Sequence, residues 1–503
     1  MSGIFFPTNE VNFFLHMKRT ILTALLLLAV AAVANVGAQT SNVLYFMNLP
    51  QRTTLNPAFQ PSGRTYVGLP GISDISFRLD NNFLSFSDLF SGGVISDSTF
   101  TILEPGEDLD RFLAGLGDKN SLEPQAAVQL FGLAFTVGED LRITFDFTER
   151  VDGNMVLPGD IIRLGISGNQ DFMGRNIDLS SLRADVKYYH EIGLGASKNI
   201  TEKLRVGARV MYLSGVVSGN LKNNGMTLTV NDDYTHTVDA DVSLNLSAPY
   251  EFMKDEQGII DDLVFDEDSF LEGNDYISYA LGLAANPGLG LELGAEYRFN
   301  DMFAVSAALT DMGFIRWRRD RSEVSCNTTF QFNGLTMQDV YDESLDFGEL
   351  LNWALDSIQN AIELSPAPEP YTTFLPLTVT TGFSFTPVSF FTAGLLSQTR
   401  FKGKQVHEAL TFSGNLNFGN IFSTTLAYTM ANRRFDNLGF GLAVRGGVVQ
   451  FYALVDNIPL RWNKVVDGTE SYRLPENWNT VHARLGLNFV FGNRIEEKIL
   501  PPM

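Results

Sequence analysis

Ten ionisable side chains sit at alternating positions inside otherwise apolar stretches: Arg142, Asp146, Glu191, Arg205, Arg209, Glu292, Glu296, Arg298, Arg445 and Arg484. On an extended chain residues two apart share a face, so each of these groups lies with polar or small neighbours opposite a face of aliphatic and aromatic side chains. Such a polar face can do two kinds of work. Paired with one another, the charges form a structural network that fills and stiffens an interior. Left around water, they line a passage that guides a solute, and their mixed signs then imply no strong ion selectivity. Bond-making chemistry has no such support. The chain contains no H-E-x-x-H, no paired Cys-x-x-Cys, no G-x-S-x-G and no G-x-x-x-x-G-K-[ST]. Of five histidines, His482 could serve as a base, but no feature pairs it with a nucleophile. The Gly288 to Gly294 stretch has the wrong spacing for a dinucleotide fingerprint. No catalytic residue, metal ligand or cofactor is assigned, and an enzyme is not expected.

The elements that must hold these residues are short alternating strands. In residues 482 to 491, Ala483, Leu485, Leu487, Phe489 and Phe491 share one face, and His482, Arg484, Gly486 and Asn488 the other, with Val490 as the exception. The pattern suits a half-buried soluble sheet or a lipid-embedded barrel, and its place near the end of a secreted chain favours the barrel. Hairpins are expected around 138–140, 199–203, 300–301, 387–388, 419–420 and 446–447. With residues 66 to 79 and 481 to 491 at the two ends, these make about fourteen strands, closed by pairing the first with the last. Residues 227 to 246 are a candidate further pair. The fold class is therefore an all-β transmembrane antiparallel barrel over 66–491. Long connections are expected at 80–126, 150–182, 214–288, 312–372 and 457–479, and short turns at the other end orient that end toward the periplasm. Apolar residues from Val340 to Ile362 recur at helical intervals, which predicts an amphipathic helix in the loop 338–364, stopped by Pro366, Pro368 and Pro370.

The ends and the composition agree with export to a membrane. Lys18-Arg19, the apolar run Ile21 to Ala34 and Val36-Gly37-Ala38 read as a signal peptide over 1–38, with Met17 the expected true start and 1–16 a start misassignment. No later segment supplies the ~20 apolar residues of a spanning helix. The 44 Gly, 40 Phe and 15 Tyr, dispersed among alternating segments, are what a lipid-facing barrel needs for girdles and close strand packing. Cys326 is the single cysteine, which excludes an intrachain disulfide, and a net charge of −22 argues against nucleic acid as a partner. Ten Asp or Glu against Lys254 in residues 251 to 275 read as a solvated surface loop, because no calcium-loop spacing occurs there.

Between the leader and the first strand, residues 39–65 form an N-terminal segment carrying Tyr45, Phe46, Leu49, Leu55, Asn56, Pro57 and Phe59. The Asn56-Pro57-Ala58 element, the strand pair Leu291 to Leu309 ending in Thr310-Asp311-Met312-Gly313, and the closing Arg484 to Phe489 strand resemble the FadL-like outer-membrane proteins, including the PorV and PorP-type branches. Leu55 to Phe59, Gly68-Leu69-Pro70-Gly71 and Glu149 to Gly153 are more similar still to an outer-membrane family catalogued as a domain of unknown function. The resemblance implies a barrel, commonly of fourteen strands, in the outer membrane of a Gram-negative bacterium, whose N-terminal segment can sit in the lumen as a hatch. From the residues alone that segment is either a hatch or a periplasmic turn that starts the barrel. The expected function is passive uptake or binding of a small hydrophobic molecule, with outer-membrane lipid as surroundings. The alternative is a non-transporting barrel whose loops engage secretion or surface proteins. Residues 492–503 are expected to be a tail.

Overall fold

The computed structural model describes residues 42–61, 63–83, 107–248, 250–254, 260–265, 286–333, 363–366, 369–403, 405–431, 434–458, 462–467, 470–475 and 480–492. The expected leader, the acidic side chains of 251–275, the helix expected within 338–364 and the tail from 493 lie outside the described residues or side chains.

Fourteen antiparallel staves close on themselves. They are β1 (Thr65–Gly68 and, after an excursion, Ile75–Asn81), β2 (Lys119–Val137), β3 (Leu141–Pro158), β4 (Arg183–Asn199), β5 (Leu204–Val230), β6 (Pro287–Arg298) and β7 (Phe303–Trp317). They continue as β8 (Tyr371–Phe374 and Thr378–Val388), β9 (Phe391–Lys402), β10 (Gln405–Phe418), β11 (Phe422–Ala431), β12 (Arg434–Gly446), β13 (Val449–Ile458) and β14 (Thr480–Phe491). Each pairs with the next, and β14 pairs with both pieces of β1, Thr65 opposite Phe491 and Ile75 opposite Leu485, so no wall strand has a free edge. Among the described residues no helix is long and apolar enough to cross a membrane; the strands do the crossing.

Period-two alternation is visible in the burial of each stave. On β6 Glu292 is 2% exposed and Leu293 40%, and on β14 Arg484 is 8% and Leu485 47%. Phe77, Phe131, Leu194, Val210, Leu289, Phe314, Phe383, Phe412, Leu426, Phe440 and Phe451 continue the exposed apolar face around the wall. A belt of that extent far exceeds the patch a water-soluble surface tolerates, and lipid is the medium that covers it. At the short-turn end, Phe390 stacks on Phe418 with centroids 5.9 Å apart and Phe303 on Phe385 at 4.9 Å, forming part of an aromatic girdle. Val490 breaks the alternation of its strand because it fills the inner wall against Tyr66 and Ala134.

Several segments expected as loops are strand. β2 begins at Lys119, β3 runs to Pro158, β5 to Val230 and β7 to Trp317. Residues 227 to 246 do pair, but as the end of β5 with Thr235–Ser247, which in turn pairs with Arg321–Asn333, itself paired with Glu363–Pro366. This side sheet stands at the long-loop end, outside the fourteen-stave wall. It has a core of Leu164, Phe172, Ile177, Leu228, Val230 and Val238, packed in part by the helix Gly159–Ser167. Two outer connections, from Lys402 to Gln405 and from Ala431 to Arg434, are as short as the turns at the opposite end.

Candidate functional site: the barrel lumen

Residues 42 to 60 lie inside the wall. The helix Asn42–Phe46 and the turn Pro50–Thr54 are too short to bury a face against each other, so their apolar groups are buried against the inner faces of the staves. Val43, Leu44, Met47 and Leu49 are fully buried with Ala427, Ala443, Tyr452 and Leu454. Tyr45 and Phe59 meet edge to face at 5.0 Å, with Phe46 and Leu55 packed beside them, and the Arg52 guanidinium lies 4.0 Å from the Phe59 ring centroid.

Polar tethers run from this segment to staves on several sides of the barrel. Val43 N donates to Asp456 Oδ1 of β13 at 3.1 Å, and His482 Nδ1 lies 2.8 Å from Asp456 Oδ2. Tyr45 Oη and Ser306 Oγ of β7 are 2.8 Å apart. Gln51 and Asn488 of β14 exchange two amide hydrogen bonds of 2.7 and 3.0 Å. Gln60 Nε2 donates to Ser197 Oγ of β4 at 2.9 Å, and Asn56 Nδ2 to the Ala307 carbonyl at 3.3 Å. His482, considered as a base, thus orients the carboxylate that caps the segment's start.

The glycines of the wall acquire a local reason here. A Cβ on Gly207 of β5 would run into the backbone of Pro57 and Ala58, and one on Gly294 of β6 into Asn56 Oδ1. Gly382 and Gly394 make the same allowance for the rings of Tyr45 and Phe46. Glycine in these strand interiors costs β-propensity and in exchange lets a second backbone approach the wall. All seven residues singled out in the segment lie in this packed region: Tyr45, Leu49, Asn56, Pro57 and Phe59 buried, Phe46 and Leu55 half-buried.

The ten wall charges divide. Arg209 of β5 is the hub of a buried cluster: its guanidinium meets Asp146, lies 2.6 Å from Glu191 and 3.3 Å from Glu292, and Glu191 also meets Arg150 at 2.7 Å. Arg205 pairs with Glu296 at 2.9 Å, and Arg298 approaches Glu296 at 3.7 Å. Arg142 donates to the Gly63 carbonyl at 2.7 Å and so holds the exit of the N-terminal segment. Arg484 forms a forked pair with Asp74. Arg298 and Arg445 sit at the short-turn rim, where Arg445 donates to the carbonyls of Gly447 and Val490.

Other lumen groups were not anticipated, because they lie in stretches read as loops or on strands whose charges were passed over: Asp74, Arg78, Glu123, Arg150, Asp152, Asp311, Arg400 and Lys402. Lys402 of β9 reaches Glu123 of β2 at 3.0 Å and Asp152 of β3 at 3.5 Å. These partners are seven and six staves away, so the side chain bridges opposite walls near the long-loop end. Between this bridge and the N-terminal segment lies a chamber of about 160 Å³. Its lining mixes Leu55, Ala127, Tyr189 and Pro376 with Thr310, Thr378, Asp311 and the guanidiniums of Arg78, Arg150, Arg400 and Arg484. Among the described residues no cluster of side chains has the make-up of a metal site.

The sequence pattern of a family described as "Family of unknown function (DUF5723)" matches residues 57–456. The chain belongs to this family. The DUF5723 match runs from the second half of the lumen segment to the stave that carries Asp456. No curated protein matches the chain. Similar solved structures include the Pseudomonas putida toluene transporter TodX, at 10% identity over 91% of this chain and 96% of that one, TM-score 0.40. The Ralstonia pickettii toluene transporter TbuX is 11% identical over 91% and 99%, TM-score 0.38. A Pseudomonas aeruginosa FadL homologue is 9% identical over 91% and 100%, TM-score 0.41.

Proposed function

We propose that this protein is an outer-membrane barrel that passively takes up or binds a small, largely hydrophobic molecule, with residues 42 to 61 acting as a hatch. The observation that carries the reading is the chamber beside that segment. Its volume of about 160 Å³ is close to that of an engineered protein cavity that binds benzene, roughly 150 Å³. Leu55 belongs to both the segment and the chamber lining, so movement of the segment would open the chamber toward the short-turn end. The apolar groups of Leu55, Ala127, Tyr189 and Pro376 would receive the body of the solute. The lipid-facing belt and the closed wall support the membrane setting.

Deleting Gln39 to Pro50 tests the hatch. The expected result is a barrel that still shows heat-modifiable migration, fractionates with the outer membrane and gives raised conductance in planar bilayers. Unchanged conductance in the folded deletion variant would overturn the hatch and favour a non-transporting interaction barrel. Recovery of the wild type as soluble periplasmic protein would overturn the membrane assignment itself.

A further inference from the structure

Two charges in the chamber lack a close ion-pair partner among the described residues. Arg484 is paired with Asp74, Arg150 with Glu191, Arg78 with Asp80, and Asp152 with Lys402. Arg400 of β9 is only 6% exposed, yet among the described residues it forms no ion pair and its Nε has no hydrogen-bond partner. Asp311 of β7 likewise forms no ion pair among the described residues. A buried guanidinium without a carboxylate is a costly arrangement unless something else meets it.

Asp311 is aimed inward by a bulge. Leu291 of β6 faces Met312 and Leu293 faces Leu309, so Thr310 and Asp311 together oppose the single residue Glu292. Asp311 has φ 56°, in the left-handed region that residues with a side chain seldom occupy. Before the bulge Ala308 and Thr310 point inward; after it Met312 and Phe314 are on the exposed face and Ile315 is fully buried. The inserted residue therefore places two consecutive side chains, Thr310 and Asp311, on the lumen side, and both line the chamber. A ladder rung runs from Thr310 through Thr378 to Arg400. Two interstrand spacings separate its ends, roughly 10 Å.

An unpaired cation and an unpaired anion thus flank one small space, with threonine hydroxyls between them and apolar groups opposite. An anion bound to Arg400 alone would leave Asp311, on which Arg150 also acts, without a close cation of its own. An uncharged apolar molecule would leave both without a close partner. A ligand that carries both charges on one small apolar body satisfies the whole lining. We propose that the chamber binds an α-amino acid with a small apolar side chain, its carboxylate on Arg400 and its ammonium group on Asp311. The inference rests on the reading of the chamber as a solute site, and it names the head group that site selects.

The test uses the full barrel in nanodiscs and equilibrium dialysis with three probes: L-valine, isovalerate, which lacks the ammonium group, and isobutylamine, which lacks the carboxylate. Valine should bind at least tenfold tighter than either. Arg400→Gln and Asp311→Asn, each checked by heat-modifiable migration, should weaken valine at least tenfold, while Arg400→Lys should retain part of the affinity. If one variant fails to fold, the other variant and the probe series decide. Equal binding of isovalerate and valine, with no effect of Asp311→Asn, would reduce the chamber to an anion site and overturn the proposal. So would absence of valine binding to the folded wild type, because the two charges would then compensate each other through solvent. Benzene binding without valine binding would sink this inference and leave the uptake reading standing. Valine binding together with unchanged conductance in the hatch deletion would do the reverse.

Discussion

Replacing Gly207 by alanine tests the contact between the N-terminal segment and the wall with a single methyl group. The added Cβ would overlap the carbonyl carbon and oxygen of Pro57 and the amide nitrogen of Ala58. All three are backbone atoms, so no side-chain rotation relieves the overlap and the segment itself must shift. Forcing one extra carbon into a packed interior costs about 1–3 kcal/mol. Placed wholly on the closed state, that cost raises the population of the displaced segment by roughly 5- to 150-fold. The wall should suffer little, since alanine suits a strand interior better than glycine does. Gly446→Ala is the control, because nothing lies within 4 Å of a Cβ there. Single-channel recording should show more frequent opening for Gly207→Ala than for wild type or Gly446→Ala. Trypsin cleavage after Arg52, which is half-buried under the Phe59 ring, should accelerate in parallel. A folded Gly207→Ala barrel with wild-type opening and wild-type protection at Arg52 would refute the packing argument, since the segment would then not rest on β5.

Further outcomes follow from the facing of the staves and from the charge cluster. Leu293→Arg should impair assembly by about 2–4 kcal/mol if the residue meets the lipid midplane, whereas Glu296→Gln, which keeps an acceptor for Arg205, should assemble normally; equal folded fractions on heat-modifiable gels would count against the register. Arg209→Met should be worse than either. It leaves Asp146, Glu191 and Glu292 around an apolar group, and breaking a buried ion cluster by removing one partner costs about 3–5 kcal/mol. Adding Asp146→Asn and Glu292→Gln to Arg209→Met should recover part of the folded fraction, and failure of the triple variant to improve would show that Arg209 acts through packing under β4 rather than through charge.

The staves were legible in the sequence because each one separates two media. Leu289, Leu291 and Leu293 on one side and Glu292 and Glu296 on the other could not exchange places without putting charge in lipid, so the period of two is written into the residues. Where that constraint ends, the signal ends. Residues 218 to 230 continue their strand into the side sheet, where Leu228 and Val230 pack on a protein core, and Asp152-Gly153-Asn154 reads as loop although it pairs with Asp185, Val186 and Lys187. The lumen contents were hidden for a different reason. Tyr45, Asn56 and Phe59 are held by residues more than a hundred positions away or by glycines whose only mark is a missing side chain, and no local pattern encodes a partner at that distance. Asp311 is the most instructive case. Strict alternation assigns Thr310 and Asp311 to opposite faces, and only the unequal count against Glu292 reveals that both turn inward. A break in the period was thus the signal at Asp311, one of several bulges in the wall, and a break that turns a charge into the lumen, rather than the regular charges of the network, is where a solute-binding role should be sought.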